Sequence, residues 1–179
     1  METYSGRVHA VLTFVSIALF TIALMFALPT CLKNYGDLVS VKISTSREHV
    51  INLPNIKVGK EICDLGMLKF DLQADFTKAF DYNTNVIFIY LTAHYQTKAN
   101  KFNQVVLWDY ILRYKAEQII NIRDQDVKYY FWDDGRGLKN NQNITLTLDM
   151  AVMPISGFLR TFTLPTSHVF SFPDIYANH

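Results

Sequence analysis

Few side chains in this chain of 179 residues have the type and spacing that chemistry needs. Among five histidines, His94 stands beside Tyr95 in a stretch that alternates like a strand, and His168 lies near the C-terminus. Each is isolated in sequence, although a Ser-His-Asp set assembles in space from any chain order. No G-x-S-x-G elbow, P-loop, H-E-x-x-H, C-x-x-C or G-x-G-x-x-G is present. Cys63 has no cationic helper at a telling spacing, so nothing marks it as a nucleophile. Asp133-Asp134-Gly135 superficially suggests calcium, but the D-x-[DN]-x-[DN]-G spacing is missing and a plain turn is expected. Tyr129, Tyr130, Phe131 and Trp132 have ring faces for bases or sugars, yet such runs in strands usually face a core or a subunit interface. No catalytic, cofactor-binding or metal-binding residue is therefore assigned. One modification signal stands out: Asn143-Ile144-Thr145 is the chain's only N-x-[ST] sequon.

The elements that must position these residues begin with an uncharged apolar run from Ala10 to Leu28, bracketed by Arg7 and Lys33. It amounts to about 19 residues, or about 28 Å of helix at about 1.5 Å per residue. A bilayer's hydrocarbon core is about 27–30 Å thick, so a single crossing is expected. A cleaved signal peptide would have a shorter apolar region and small residues before the cut. Here Ala27-Leu28-Pro29-Thr30-Cys31 offers no A-x-A pattern. A buried soluble helix would carry a polar stripe, and Thr13, Ser16 and Thr21 do not make one. The reading is a short tail over 1–9, a transmembrane signal-anchor helix over 10–30 and one domain over 31–179. Lys and Arg flanking the span give no decisive orientation. A used sequon would place the C-terminal domain in the lumen.

The domain of about 150 residues has the usual size of a single fold. Net charge of +1 provides neither a basic field for nucleic acid nor an acidic tail. Two cysteines, Cys31 and Cys63, are too few for a disulfide framework, and their mutual pairing stays open. After the span, Val39, Val41 and Ile43 alternate with polar residues as a half-buried strand, and Ser46 to Asp64 reads as a long polar loop. Leu68, Phe70, Leu72, Ala74 and Phe76 then share one face of a clean strand, followed by a corner over 75–85. Val86–Tyr95 and Gln104–Tyr114 are apolar on both faces, which suits the centre of a sandwich or a strand covered by another protein. Short strands are expected near 118–122 and 128–132, a turn at Asp133–Gly137, and another clear strand over Ile144–Val152. Weaker ones follow near 158–164 and 169–172. The expected fold class is all-β: an N-terminal transmembrane helix, then an antiparallel β-sandwich.

Several motifs occur in a recognisable order: Asp64-Leu65-Gly66, Phe70-Asp71-Leu72, Ala74-Asp75, Phe80-Asp81, Tyr90-Leu91, Tyr95 and Thr97-Lys98. Asn103-Gln104-Val105-Val106-Leu107-Trp108-Asp109, Asp133-Asp134-Gly135, Gly137-Leu138-Lys139, Asn143–Leu148 and Phe172-Pro173-Asp174-Ile175-Tyr176 complete the series. Through these motifs residues 64–176 resemble the subunit 3 family of the signal peptidase complex, the endoplasmic reticulum enzyme that removes signal peptides. The resemblance implies a single-pass type II protein of the endoplasmic reticulum membrane with a short cytosolic N-terminus and a lumenal domain glycosylated at Asn143. It implies a non-catalytic accessory subunit, whose partners are the catalytic subunit and the other accessory subunits, with no cofactor and no nucleic acid. The alternative from the residues alone is a membrane-tethered hydrolase whose site assembles from scattered His, Ser and Asp.

Overall fold

The computed structural model describes residues 3–55, 60–115 and 117–177. One helix, α1 (Tyr4–Leu32), precedes eight strands: β1 (Ser40–Asn55), β2 (Lys60–Asp75), β3 (Thr84–Tyr95), β4 (Asn103–Arg113), β5 (Ile119–Asp126), β6 (Phe131–Trp132), β7 (Ile144–Pro154) and β8 (Arg160–Phe170). The helix starts where the Thr3 hydroxyl accepts the Gly6 amide, an N-cap that replaces a missing backbone partner. At 29 residues it is about 44 Å long, so it overshoots the hydrocarbon at its ends. Its apolar window is bare of protein contacts that would bury it, as lipid-facing side chains require.

The strands form two antiparallel sheets, as the alternation predicts. One runs β1-β2-β5 with β6 also on β2, and the other runs β4-β3-β7-β8. The inward faces are those the period of two selects. Leu68, Phe70, Leu72, Ala74 and Phe76 from β2 and its end are all buried, as are Ile87, Ile89, Leu91 and Ala93 of β3 and Ile144, Leu146, Leu148, Met150 and Val152 of β7. A single helical turn, Thr77–Ala79, makes the expected corner after β2.

Four expectations need correction. Ser46 to Asp64 is no loop: β1 continues to Asn55 and β2 starts at Lys60, with pairing from Ser40↔Asp75 to Asn55↔Lys60. A bulge between Ser46 and His49, with Arg47 at φ 56°, breaks the alternation that would have revealed the strand. Pro54 is tolerated because β1 lies at the sheet edge. Gly59 falls outside the described residues. Second, β3 is central but β4 is an edge strand. A shift between Leu91 and Thr92 lets consecutive Leu107 and Trp108 both face inward, while Val106, Tyr110 and Ile111 stay exposed. The apolar residues on the second face of β4 therefore look outward. Third, the expected strand over 128–132 shrinks to Phe131–Trp132, because the amides of Lys128 and Tyr129 both turn to the carbonyl of Leu107. Within this run Phe131 enters the core and Tyr130 is exposed. The two weak C-terminal strands are one, β8, with Pro165 inside the irregularity between its Thr163 and Ser167 pairings.

Candidate functional site at the joint between anchor and sandwich

The structure keeps the titratable candidates apart. His94, on the outward side of β3, approaches the Thr147 hydroxyl with Nε2 at 2.9 Å and the Gln104 amide with Nδ1 at 3.1 Å. His168 instead reaches the Thr45 hydroxyl at 3.0 Å. Among the described residues, neither ring is aligned by a carboxylate in the way a base beside a nucleophile needs. Cys63 is buried, Cys31 is exposed, and both are free thiols. They sit at opposite ends of the sandwich, because β2 runs from Cys63 toward the end where α1 stops. No group of three or more His, Cys, Asp and Glu fit to hold a metal occurs among the described residues.

At the end far from α1, the Asp133 turn is held by its own carboxylate. Oδ2 accepts the Gly135 and Gly137 amides at 3.2 and 2.8 Å, and Oδ1 accepts the Tyr95 hydroxyl at 3.0 Å. Burial, reinforced by the charge of Asp133, pushes the Tyr95 phenol well above its ordinary value. Asp64, fully buried, accepts the Leu138 and Lys139 amides, Asn52 and the Tyr176 hydroxyl. Both carboxylates are thus consumed in fixing the 133–139 loop, and a calcium ion at Asp133-Asp134-Gly135 gains no support. Gly137 suits that place, since a Cβ would run into Thr97 Cγ2 and the Asp133 carboxylate. A polar cleft of about 570 Å³ opens beside this loop, lined by Thr97, Arg136, Lys139 and Asn141 among others. Asn143, exposed just before β7, stands at the same end.

The most elaborate polar construction lies at the opposite end, where α1 meets the sandwich. A helix leaves its last carbonyls without partners, and a cation there also opposes the negative end of the helix dipole. Arg160, the first residue of β8, answers both needs. Its Nη1 donates to the carbonyls of Thr30, Cys31 and Lys33 at 3.3, 2.6 and 3.1 Å. Its guanidinium also lies over the Phe162 ring, 4.8 Å from the centroid. Asn83, only 1% exposed, bridges three segments. Its Nδ2 donates to Thr30 Oγ1 at 2.7 Å, to the Ser156 carbonyl at 2.8 Å and to the Phe26 carbonyl at 3.3 Å. Its Oδ1 accepts the Ser156 amide at 2.9 Å.

Asp81 completes the joint. One oxygen takes Lys33 Nζ and the Tyr35 hydroxyl, each at 2.8 Å, and the other takes the Asn83 and Thr84 amides and the Thr84 hydroxyl. Burial alone would raise its pKa, but the hydrogen bonds from Lys33, Tyr35, Asn83 and Thr84 outweigh it and hold the carboxyl at about 2. Sequence reading did not single out Asn83 or Arg160 and placed Asp81 only within the Phe80-Asp81 motif. Apart from Asp81's neighbours Asn83 and Thr84, the partners that tie them to α1 and its exit lie 46 to 130 residues away in the chain, so no local pattern shows them. The nearest signal is a lone arginine directly after the apolar Phe158-Leu159 pair.

One apolar helix capped into an antiparallel sandwich by polar residues defines a single-pass, membrane-anchored β-sandwich protein. The model of the signal peptidase subunit family matches residues 1–175. Signal peptidase complex subunit 3 of Drosophila melanogaster is 38% identical over 177 residues, spanning 99% of this chain and 98% of the fly protein. The human protein of the same name is 37% identical over 177 residues, spanning 98% and 97%. The mouse protein called adipocyte-related X-chromosome expressed sequence 1 is 36% identical over 176 residues, with the same two shares. The chain therefore belongs to the signal peptidase subunit family, and the kinship read from residues 64–176 extends over nearly its whole length.

Proposed function

We propose that this chain is a non-catalytic accessory subunit of an endoplasmic reticulum signal peptidase complex, partnered by the catalytic subunit and the other accessory subunits. In this reading residues 1–9 are cytosolic, 10–30 cross the membrane as a type II signal-anchor, and the sandwich over 31–179 is lumenal and glycosylated at Asn143. The observation that carries the proposal is the joint: Arg160, Asn83 and Asp81 fasten the sandwich directly to the last turn of α1. A domain fastened in this way has a fixed height and tilt over the bilayer. Such positioning supports a partner's active site, because a displacement of about 1 Å changes rates by about 10²-fold. Exposed Asn143 is open to a glycosyltransferase.

Topology is tested by treating microsomes carrying the protein with an endoglycosidase. The expected result is a mobility shift that Asn143→Gln abolishes, with the C-terminal domain protected from protease added on the cytosolic side. An unshifted band, with the domain open to that protease, overturns the lumenal assignment. Purified full-length chain incubated with signal-peptide substrates should leave them intact. Cleavage by the chain alone would return the tethered-hydrolase reading to first place.

A further inference from the structure

The loop between β7 and β8, Ile155-Ser156-Gly157-Phe158-Leu159, does not sit above the end of α1 but alongside it. The Ser156 hydroxyl donates to the carbonyl of Ala23 at 3.2 Å, and a Cβ on Gly157 would lie 3.5 Å from that of Ala27. Ala23 precedes the end of the apolar run at Leu28 by five residues, about 7–8 Å along the axis. The loop therefore reaches the level of residues that the bilayer must cover. At that level it presents Ile155 (72% exposed), Phe158 (81%) and Leu159 (55%) outward. Tyr82, 57% exposed, packs edge-on against Phe26 with ring centroids 5.6 Å apart. Its phenol is of the kind that settles at a membrane–water boundary.

We infer that the 155–159 loop is a second membrane attachment, inserting Ile155, Phe158 and Leu159 into the acyl region of the leaflet on the sandwich side. Sliding the helix outward until the loop reached water would strand exposed Leu24, Met25, Phe26 and Leu28 in water. It would also draw Arg7 toward the hydrocarbon, because a span of about 19 residues ending at Ala23 begins near Ser5. The polar groups that open the loop suit the position. Backbone entering hydrocarbon must be satisfied internally, and here Pro154 has no amide to satisfy. The Ile155 amide donates to the Asn83 carbonyl at 2.7 Å, and Asn83's side chain takes both the amide and the carbonyl of Ser156. Next in sequence, Arg160 is turned back onto the helix end, which keeps its charge away from the lipid face. Helix and loop together form a two-point footing that stops the sandwich from swivelling about a single span.

The test uses the full-length chain with Cys31→Ser, leaving only buried Cys63, and one new cysteine carrying an environment-sensitive nitrobenzoxadiazole dye. The new cysteine replaces Phe158 or Ile155, with Lys98→Cys at the far end of the sandwich as the reference. In phosphatidylcholine vesicles, the dye at 158 and at 155 should emit to the blue of the dye at 98. Phosphatidylcholine bearing an acyl-chain nitroxide should quench it at least threefold more strongly. Emission at both positions matching that at 98 overturns the inference. Blue-shifted emission that nitroxide lipid fails to quench overturns it too, because protein rather than lipid then covers the loop.

Discussion

Replacing Asn83 by Ala probes the joint most sharply. The substitution removes four hydrogen bonds, to Thr30 Oγ1, the Phe26 carbonyl and both backbone groups of Ser156. The Phe26 carbonyl keeps the Thr30 hydroxyl, which donates to it at 3.2 Å. Ser156 loses the side-chain partner of both its amide and its carbonyl. An unsatisfied buried polar group costs about 1–3 kcal/mol, and Ser156 is half-buried, so the lower half of the range applies to each group. The total is about 3 kcal/mol, allowing for a small cavity left by the amide. For a domain of this size about 1 kcal/mol moves Tm by about 2–4 °C, giving a fall of about 6–12 °C. Thermal unfolding of the full-length protein in detergent micelles measures it. Hydrogen exchange should show lost protection at the Ser156 amide in the same variant. A fall of less than about 2 °C with unchanged protection at Ser156 refutes the view that Asn83 holds the joint.

Other consequences are equally direct. Trp108, 7% exposed and edge-on to Phe70 at 5.6 Å, belongs to the core, so Trp108→Ala should cost about 3–5 kcal/mol. An unchanged Tm with loss of complex assembly would move it to an interface instead. Gly137→Ala should destabilise the 133–139 loop because its Cβ meets Thr97 and the Asp133 carboxylate, and lost exchange protection at Gly135 and Leu138 reports it. Asp81, at about pKa 2 when folded against about 3.9 unfolded, contributes stability that is complete above pH 4 and fades as pH falls toward 2. The contribution at neutral pH is about 2 kcal/mol. The Tm gap between wild type and Asp81→Asn should narrow over that window, and a constant gap would contradict the assignment.

What could be read from the sequence is what repeats locally. Leu68 to Phe76 and Ile144 to Val152 alternate without interruption, and each alternating set became a buried face. The hairpin of β1 and β2 escaped because its bulge at Ser46–His49 interrupts the period and leaves Val50 as an isolated buried residue. The edge position of β4 escaped for the opposite reason. Val105 to Trp108 is apolar at every position, and only the register shift opposite Leu91–Thr92 decides which side chains face in. The joint lay beyond reach altogether, since Asn83 and Arg160 acquire meaning only when β3 and β8 arrive beside Thr30. Asn143 is legible as a motif because a sequon is local.

The central claim is that this chain is an accessory subunit, fastened to the membrane so as to support a partner's chemistry. Affinity-tagged full-length protein, captured from digitonin-solubilised membranes and assayed against a preprotein with an intact signal peptide, tests that claim most directly. The captured assembly should cleave the signal peptide, while the same chain purified free of its partners should not. Capture of an assembly without cleavage activity, or cleavage by the chain alone, would contradict it.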